Sequence, residues 1–148
     1  MRRKGRTVAA DMIDGCAAVV DRETAVKAIR EVCRYFGGQY LYIPVHKTAG
    51  KTTEDLHGVL RDAAGDPAAE LMLKKLMALY GGYQIYIPKE ETAFHYLIIK
   101  EIYEKYDGTG ATLGDLCREY DISFNAVYEF YHEYQDSKAQ GQFQFEEN

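Results

Sequence analysis

Apolar residues recur at spacings of three and four through Ala28, Ile29, Val32, Cys33, Tyr35 and Phe36, then alternate with other residues at Leu41 and Ile43. The first spacing buries one face of a helix and the second one face of a strand. The switch between them falls on Gly37-Gly38. It occurs again 44 residues on, where Met72, Leu73, Leu76, Met77, Leu79 and Tyr80 precede Gly81-Gly82 and Ile85 and Ile87 come after. Residues 28–44 (AIREVCRYFGGQYLYIP) and 72–88 (MLKKLMALYGGYQIYIP) align without a gap. The junction glycines are expected to supply the positive φ at which helices commonly end. Pro44 and Pro88 end the strands or confine them to an edge. A strand this short needs a partner, and the two can pair antiparallel within one chain or between two.

Between the copies the pattern predicts a loop over 45–53, a short helix over 54–64 and a break at Gly65-Asp66-Pro67. There Asp66 would cap the next helix and Pro67 would sit in its first turn. Gly50-Lys51-Thr52 matches the end of a phosphate-binding loop, but the glycine required five residues earlier is Val45, so the cradle is missing.

The last third reads as three helices. Residues 91–106 place Phe94, Ile98, Ile99, Ile102, Tyr103 and Tyr106 on one side, and Asp107-Gly108 stops the helix. Thr112 is expected to cap TLGDLCREY, with Asp115 as its partner three residues on. After a tight turn Ser123 caps SFNAVYEFYHEYQ. Leu113, Leu116, Cys117, Ile122, Val127 and Tyr131 would form the interior of a helix-turn-helix. On the last helix Phe124, Val127, Tyr131 and Tyr134 share the buried arc, with Tyr128 at its margin. The opposite arc presents Asn125, Glu129, His132 and Asp136. In a major groove, Asn can pair with adenine and Glu can accept from cytosine. A solvated polar face has the same pattern.

Composition narrows the classes. At 148 residues, 47% hydrophobic and 28% charged, the chain is an ordinary globular length and balance rather than a disordered one. No apolar run approaches the ~18 residues of a membrane span, and no secretory signal accompanies the basic start. Cys16, Cys33 and Cys117 form no C-x-x-C pair, which suits reduced thiols in a cytoplasmic protein. A net charge of −5 by itself discourages nucleic-acid binding. The charge is uneven, however. Arg2, Arg3, Lys4 and Arg6 form a basic tip suited to a disordered arm or to phosphates, whereas residues 107–148 carry only Arg118 and Lys138 against nine acids. From Ser137 on, the chain reads as a frayed tail. His46, His57, His95 and His132 are isolated, and no nucleophile motif occurs, so no catalytic residue, metal or cofactor is expected.

GGYQIYIPKEE, the helix through Tyr106-Asp107-Gly108, and TLGDLCREYDISFNAVYEF together resemble the Mor/C family of phage transcription activators over residues 71–134. The resemblance implies a mainly α fold with a short β-ribbon, in which a helix-GG-strand dimerisation region precedes a C-terminal helix-turn-helix. The corresponding segments here are a basic arm and lead-in (1–24), a dimerisation region with two repeats (25–88), a DNA-binding unit (89–136) and a flexible tail (137–148). It implies a homodimer or higher homo-oligomer bound to double-stranded DNA at an inverted-repeat promoter site, with RNA polymerase as a further partner. It also implies a bacterial cytoplasmic protein acting at the nucleoid. Carried over by position, Gln84, Tyr86 and Lys89 would lie along the ribbon, and Thr112, Ser123, Asn125, Tyr128, Glu129 and His132 in the reading unit. Two departures stand out. The third helix is acidic where family members are basic, and the first helix-GG-strand copy is extra. An alternative reading is therefore a protein-interaction module that keeps the fold but has lost DNA binding.

Overall fold

The computed structural model describes residues 7–47 and 50–140. The basic tip and residues 141–148 lie outside them. The described residues form two compact units, one ending at Ala93 and the other starting at Phe94. No helix among them is long and apolar enough to cross a membrane.

The first unit runs α1 (Val8–Cys16), α2 (Arg22–Phe36), β1 (Gln39–Ile43), α3 (Lys51–Ala64), α4 (Asp66–Tyr80), β2 (Tyr83–Ile87) and α5 (Glu90–Ala93). Thr7 caps α1, and Asp21 caps α2 by accepting from the Thr24 amide at 3.1 Å and the Thr24 hydroxyl at 2.7 Å. α1 falls where the sequence suggests only a lead-in. It has nine residues, too few to display a long period, yet it buries Ala9, Met12, Ile13 and Cys16. α2 buries Ala25, Ala28, Ile29, Val32, Cys33 and Phe36. α4 buries Ala69, Met72, Leu73 and Leu76. The larger of these side chains contribute about 1.5–3 kcal/mol each when fully buried.

Two helix starts differ from expectation. α3 begins at Lys51 rather than Glu54, behind an extended Gly50. Gly65, at φ 87°, takes the cap position of α4. Asp66 is thereby drawn into the first turn, where its carboxylate lies 2.7 Å from Arg61 Nε.

β1 and β2 pair antiparallel within the chain, from Gln39 opposite Ile87, through Leu41 opposite Ile85, to Ile43 opposite Tyr83. Leu41, Ile43 and Ile87 are buried beneath the ribbon. At each helix-to-strand junction the two glycines divide the work. Positive φ belongs to Gly38 (84°) and Gly82 (89°), not to Gly37 or Gly81. The expectation of positive φ at Gly81 is therefore corrected. Gly81 has φ −56°, and what it needs is room: an added Cβ would lie 2.4 Å from the Met77 carbonyl oxygen and 3.1 Å from Val45 Cα.

The second unit is α6 (His95–Lys105), α7 (Gly110–Tyr120) and α8 (Phe124–Gln140). The single helix expected over 91–106 is broken at Phe94, whose φ of −117° and ψ of 29° separate α5 from α6. Thr109, not Thr112, caps α7 by accepting from the Thr112 amide at 3.2 Å. Both threonines could cap, and Asp107 decides between them by accepting from the Thr109 amide at 2.9 Å. α8 continues past the expected end at residue 135 and through Ser137, which is buried. Lys138 Nζ lies 5.3 Å from the centre of the Tyr103 ring on α6.

Candidate nucleic-acid interface

Two surfaces carry the side chains singled out by the sequence, one in each unit. The first is the outer face of the ribbon. Tyr40 opposes Tyr86 and Tyr42 opposes Gln84, all four exposed. The Tyr40 and Tyr86 rings meet edge to face at 5.4 Å. Lys89 lies just beyond β2, and its stem runs over Gly38. Sequence reasoning misses Tyr40 and Tyr42 as candidates although they stand 44 residues before Gln84 and Tyr86, so the repeat itself holds the signal.

The second surface belongs to α7 and α8. α8 packs on α6 through Ile99 and Tyr134, with Tyr103 and Phe130 against them. Tyr103 and Tyr131 rings lie 4.9 Å apart, and Tyr106 and Tyr131 5.6 Å apart. α7 is fastened to α6 by Tyr120, whose hydroxyl donates to Glu101 at 2.8 Å and accepts from Lys105 Nζ at 3.1 Å. Burial first, and the Glu101 carboxylate next, push that hydroxyl up to about 12. The turn into α8 passes through Asp121 at φ 54°, a left-handed position that Asp tolerates better than most residues. Ser123 then caps α8 by accepting from the Ala126 amide at 3.1 Å.

This frame leaves Asn125, Tyr128, Glu129 and His132 at the surface of α8. The Tyr128 ring also meets the Tyr106 ring edge to face at 5.9 Å. Two sequence candidates are already engaged elsewhere: the Ser123 oxygen accepts in the cap, and Thr112 Oγ1 accepts from the Thr109 hydroxyl at 3.0 Å. Phe124 corrects another expectation. It is 58% exposed instead of lying on the buried arc, because it opens the helix before the stretch that packs. The exposed Phe124 ring therefore stands beside the exposed Asn125 at the start of α8.

The electrostatics of this unit are acidic. Between Phe94 and Gln140 there are four Lys or Arg and nine Asp or Glu. Lys105 Nζ pairs with Glu119 at 2.8 Å and Arg118 pairs with Asp115. His95 Nε2 lies 2.8 Å from Glu133, which ties up one of the acids on α8. No group of three or more His, Cys, Asp or Glu among the described residues could hold a metal.

Chemistry-bearing side chains here lie open on a helix and a ribbon, the arrangement of a binding protein that meets its partner across a surface. Residues 46–144 match the profile of the Mor transcription activator family. The chain belongs to that family, and so is a transcription activator rather than a member of an enzyme family. No curated protein and no solved structure matches. The matched region opens after β1, so α1, α2 and β1 lie outside it.

Proposed function

We propose that this activator binds double-stranded DNA sequence-specifically, with α7, the Asp121 turn and α8 acting as a helix-turn-helix. Asn125 pairs with an adenine edge, Glu129 accepts from a cytosine amino group, and Phe124, Tyr128 and His132 add contacts at the groove wall. Ser123 and Thr109 hold the helix starts, and Thr112 lies in the first turn of α7. Gln84, Tyr86 and Lys89 make the ribbon a second contact. An inverted-repeat promoter site takes two chains, one head from each, and the acidic flank of α8 meets RNA polymerase. This activity belongs in the bacterial cytoplasm, at the nucleoid. The observation that carries the reading is the outward arc of Asn125, Glu129 and His132 on a helix whose start is fixed by Ser123.

The acidic balance of the second unit favours the interaction module as the competing reading. Duplex selection from a random pool and then a salt series separate the two. A DNA reader yields an enriched sequence whose affinity falls with rising salt, at a shallow slope that reflects few phosphate contacts. No enrichment at low salt supports the module.

A further inference from the structure

We infer that residues 8–43 take the place of a second protein copy, so that the first unit is a two-fold assembly completed within one chain and the free protein is a single chain. In a two-fold interface the same patch is used twice: if residue i of one copy touches j of the other, then j touches i. The first unit obeys this rule internally at an offset of 44. α2 and α4 span residues 22–36 and 66–80, and β1 and β2 span 39–43 and 83–87. The correspondence extends upstream into α1 and α3, beyond the repeat visible as letters. Buried Ala9, Met12 and Cys16 of α1 match buried Thr53, Leu56 and Leu60 of α3.

Contacts obey the same operation. Gln39 pairs with Ile87 and Ile43 with Tyr83, while Leu41 and Ile85 face each other at the centre. The Gly38 amide donates to the Ile87 carbonyl at 2.7 Å, and the Gly82 amide donates to the Ile43 carbonyl at 2.7 Å. Gly37 is crowded by Pro88 and Lys89, and Gly81 by Pro44 and Val45. α3 packs on α2 as α1 packs on α4. Each half thus finds in the other the partner that a two-fold mate would supply.

One feature distinguishes the halves. Glu90, beyond β2, accepts from Arg30 Nε at 2.7 Å and from Arg34 at 2.8 and 3.0 Å. The positions 44 away are His46, Lys74 and Ala78, which cannot repeat the triad. The first half therefore holds the second by a clamp that two identical copies would have shown twice. The matched family region contains only the second half and the helices of the second unit, so the first half fits the role of a built-in mate.

Mass measured in solution tests the chain count, and a cross-strand disulfide tests the pairing. The free protein should have the 16.9 kDa mass of one chain across a hundredfold concentration range. Tyr40→Cys with Tyr86→Cys, in a Cys117→Ser background, should close within the chain on oxidation and run as a faster monomer on a non-reducing gel. A dimer in solution, or a disulfide joining two chains, overturns the inference. On DNA, a duplex bearing one half-site should bind one chain and an inverted repeat two. That stoichiometry rests on the function proposed above, whereas mass and cross-link do not, so loss of DNA binding alone leaves both tests intact.

Discussion

Gly81 and Gly58 make opposite predictions from the same substitution. At Gly81 a methyl group would run into the Met77 carbonyl, whereas at Gly58, inside α3, nothing lies within 4 Å of the added carbon. Gly81→Ala should therefore lower stability by about 1–3 kcal/mol. Gly58→Ala should raise it by roughly 0.5–1 kcal/mol through helix propensity. Thermal or denaturant melts of both variants measure this directly. The thiols give a second prediction. Burial raises Cys16 to about 11 and Cys33 to about 12. Both should resist iodoacetamide at neutral pH in the folded protein, while part-buried Cys117 labels first, as peptide mapping would report. Rapid native labelling of all three would contradict the packing of α1 and α2. At this scale the sequence tells which residues are special more often than why. The Gly-Gly pairs are plain, but part of the crowding at Gly81 comes from Pro44 and Val45 across the ribbon, which periodicity cannot see.

At the scale of elements, the Arg30–Glu90–Arg34 triad joins α2 to α5. Burial alone would raise the Glu90 carboxyl, but hydrogen bonds from Arg34 and Arg30 outweigh it and hold the group below its usual 4.5. A depressed carboxyl stabilises the fold above its unfolded value, and that stability is lost as pH falls from about 4.5 through the folded value. Glu90→Gln should cost about 2 kcal/mol at pH 7, less than a fully buried pair because Arg34 is half exposed. The variant should also flatten the acid limb of the stability curve. Melting temperatures at pH 7 and pH 3 check both effects, and an unchanged acid limb would mean that Glu90 plays no part in acid sensitivity. The alternation of Leu41 with Tyr42, and the spacing of Ile98, Ile99 and Ile102, make ribbon and helices legible because burial imposes those periods. The break at Phe94, the choice of Thr109 over Thr112 and the exposure of Phe124 are not legible. Each depends on where a neighbouring surface begins, and period alone carries no such information.

For the whole molecule, the net charge of −5 and the acidic second unit mean that any DNA affinity must come from base edges and a few cations rather than a broad basic face. Asn125→Ala should then weaken specific binding about tenfold, in line with the roughly 1–3 kcal/mol of a bidentate base contact. The circular dichroism spectrum should stay unchanged, since Asn125 is exposed. The most direct test is an NMR titration of isotope-labelled protein with the selected duplex, read as amide shifts residue by residue. The largest shifts should fall between Ser123 and Glu133 if α8 reads the groove. Shifts scattered elsewhere, with that stretch of α8 silent, would contradict a reading role for the helix.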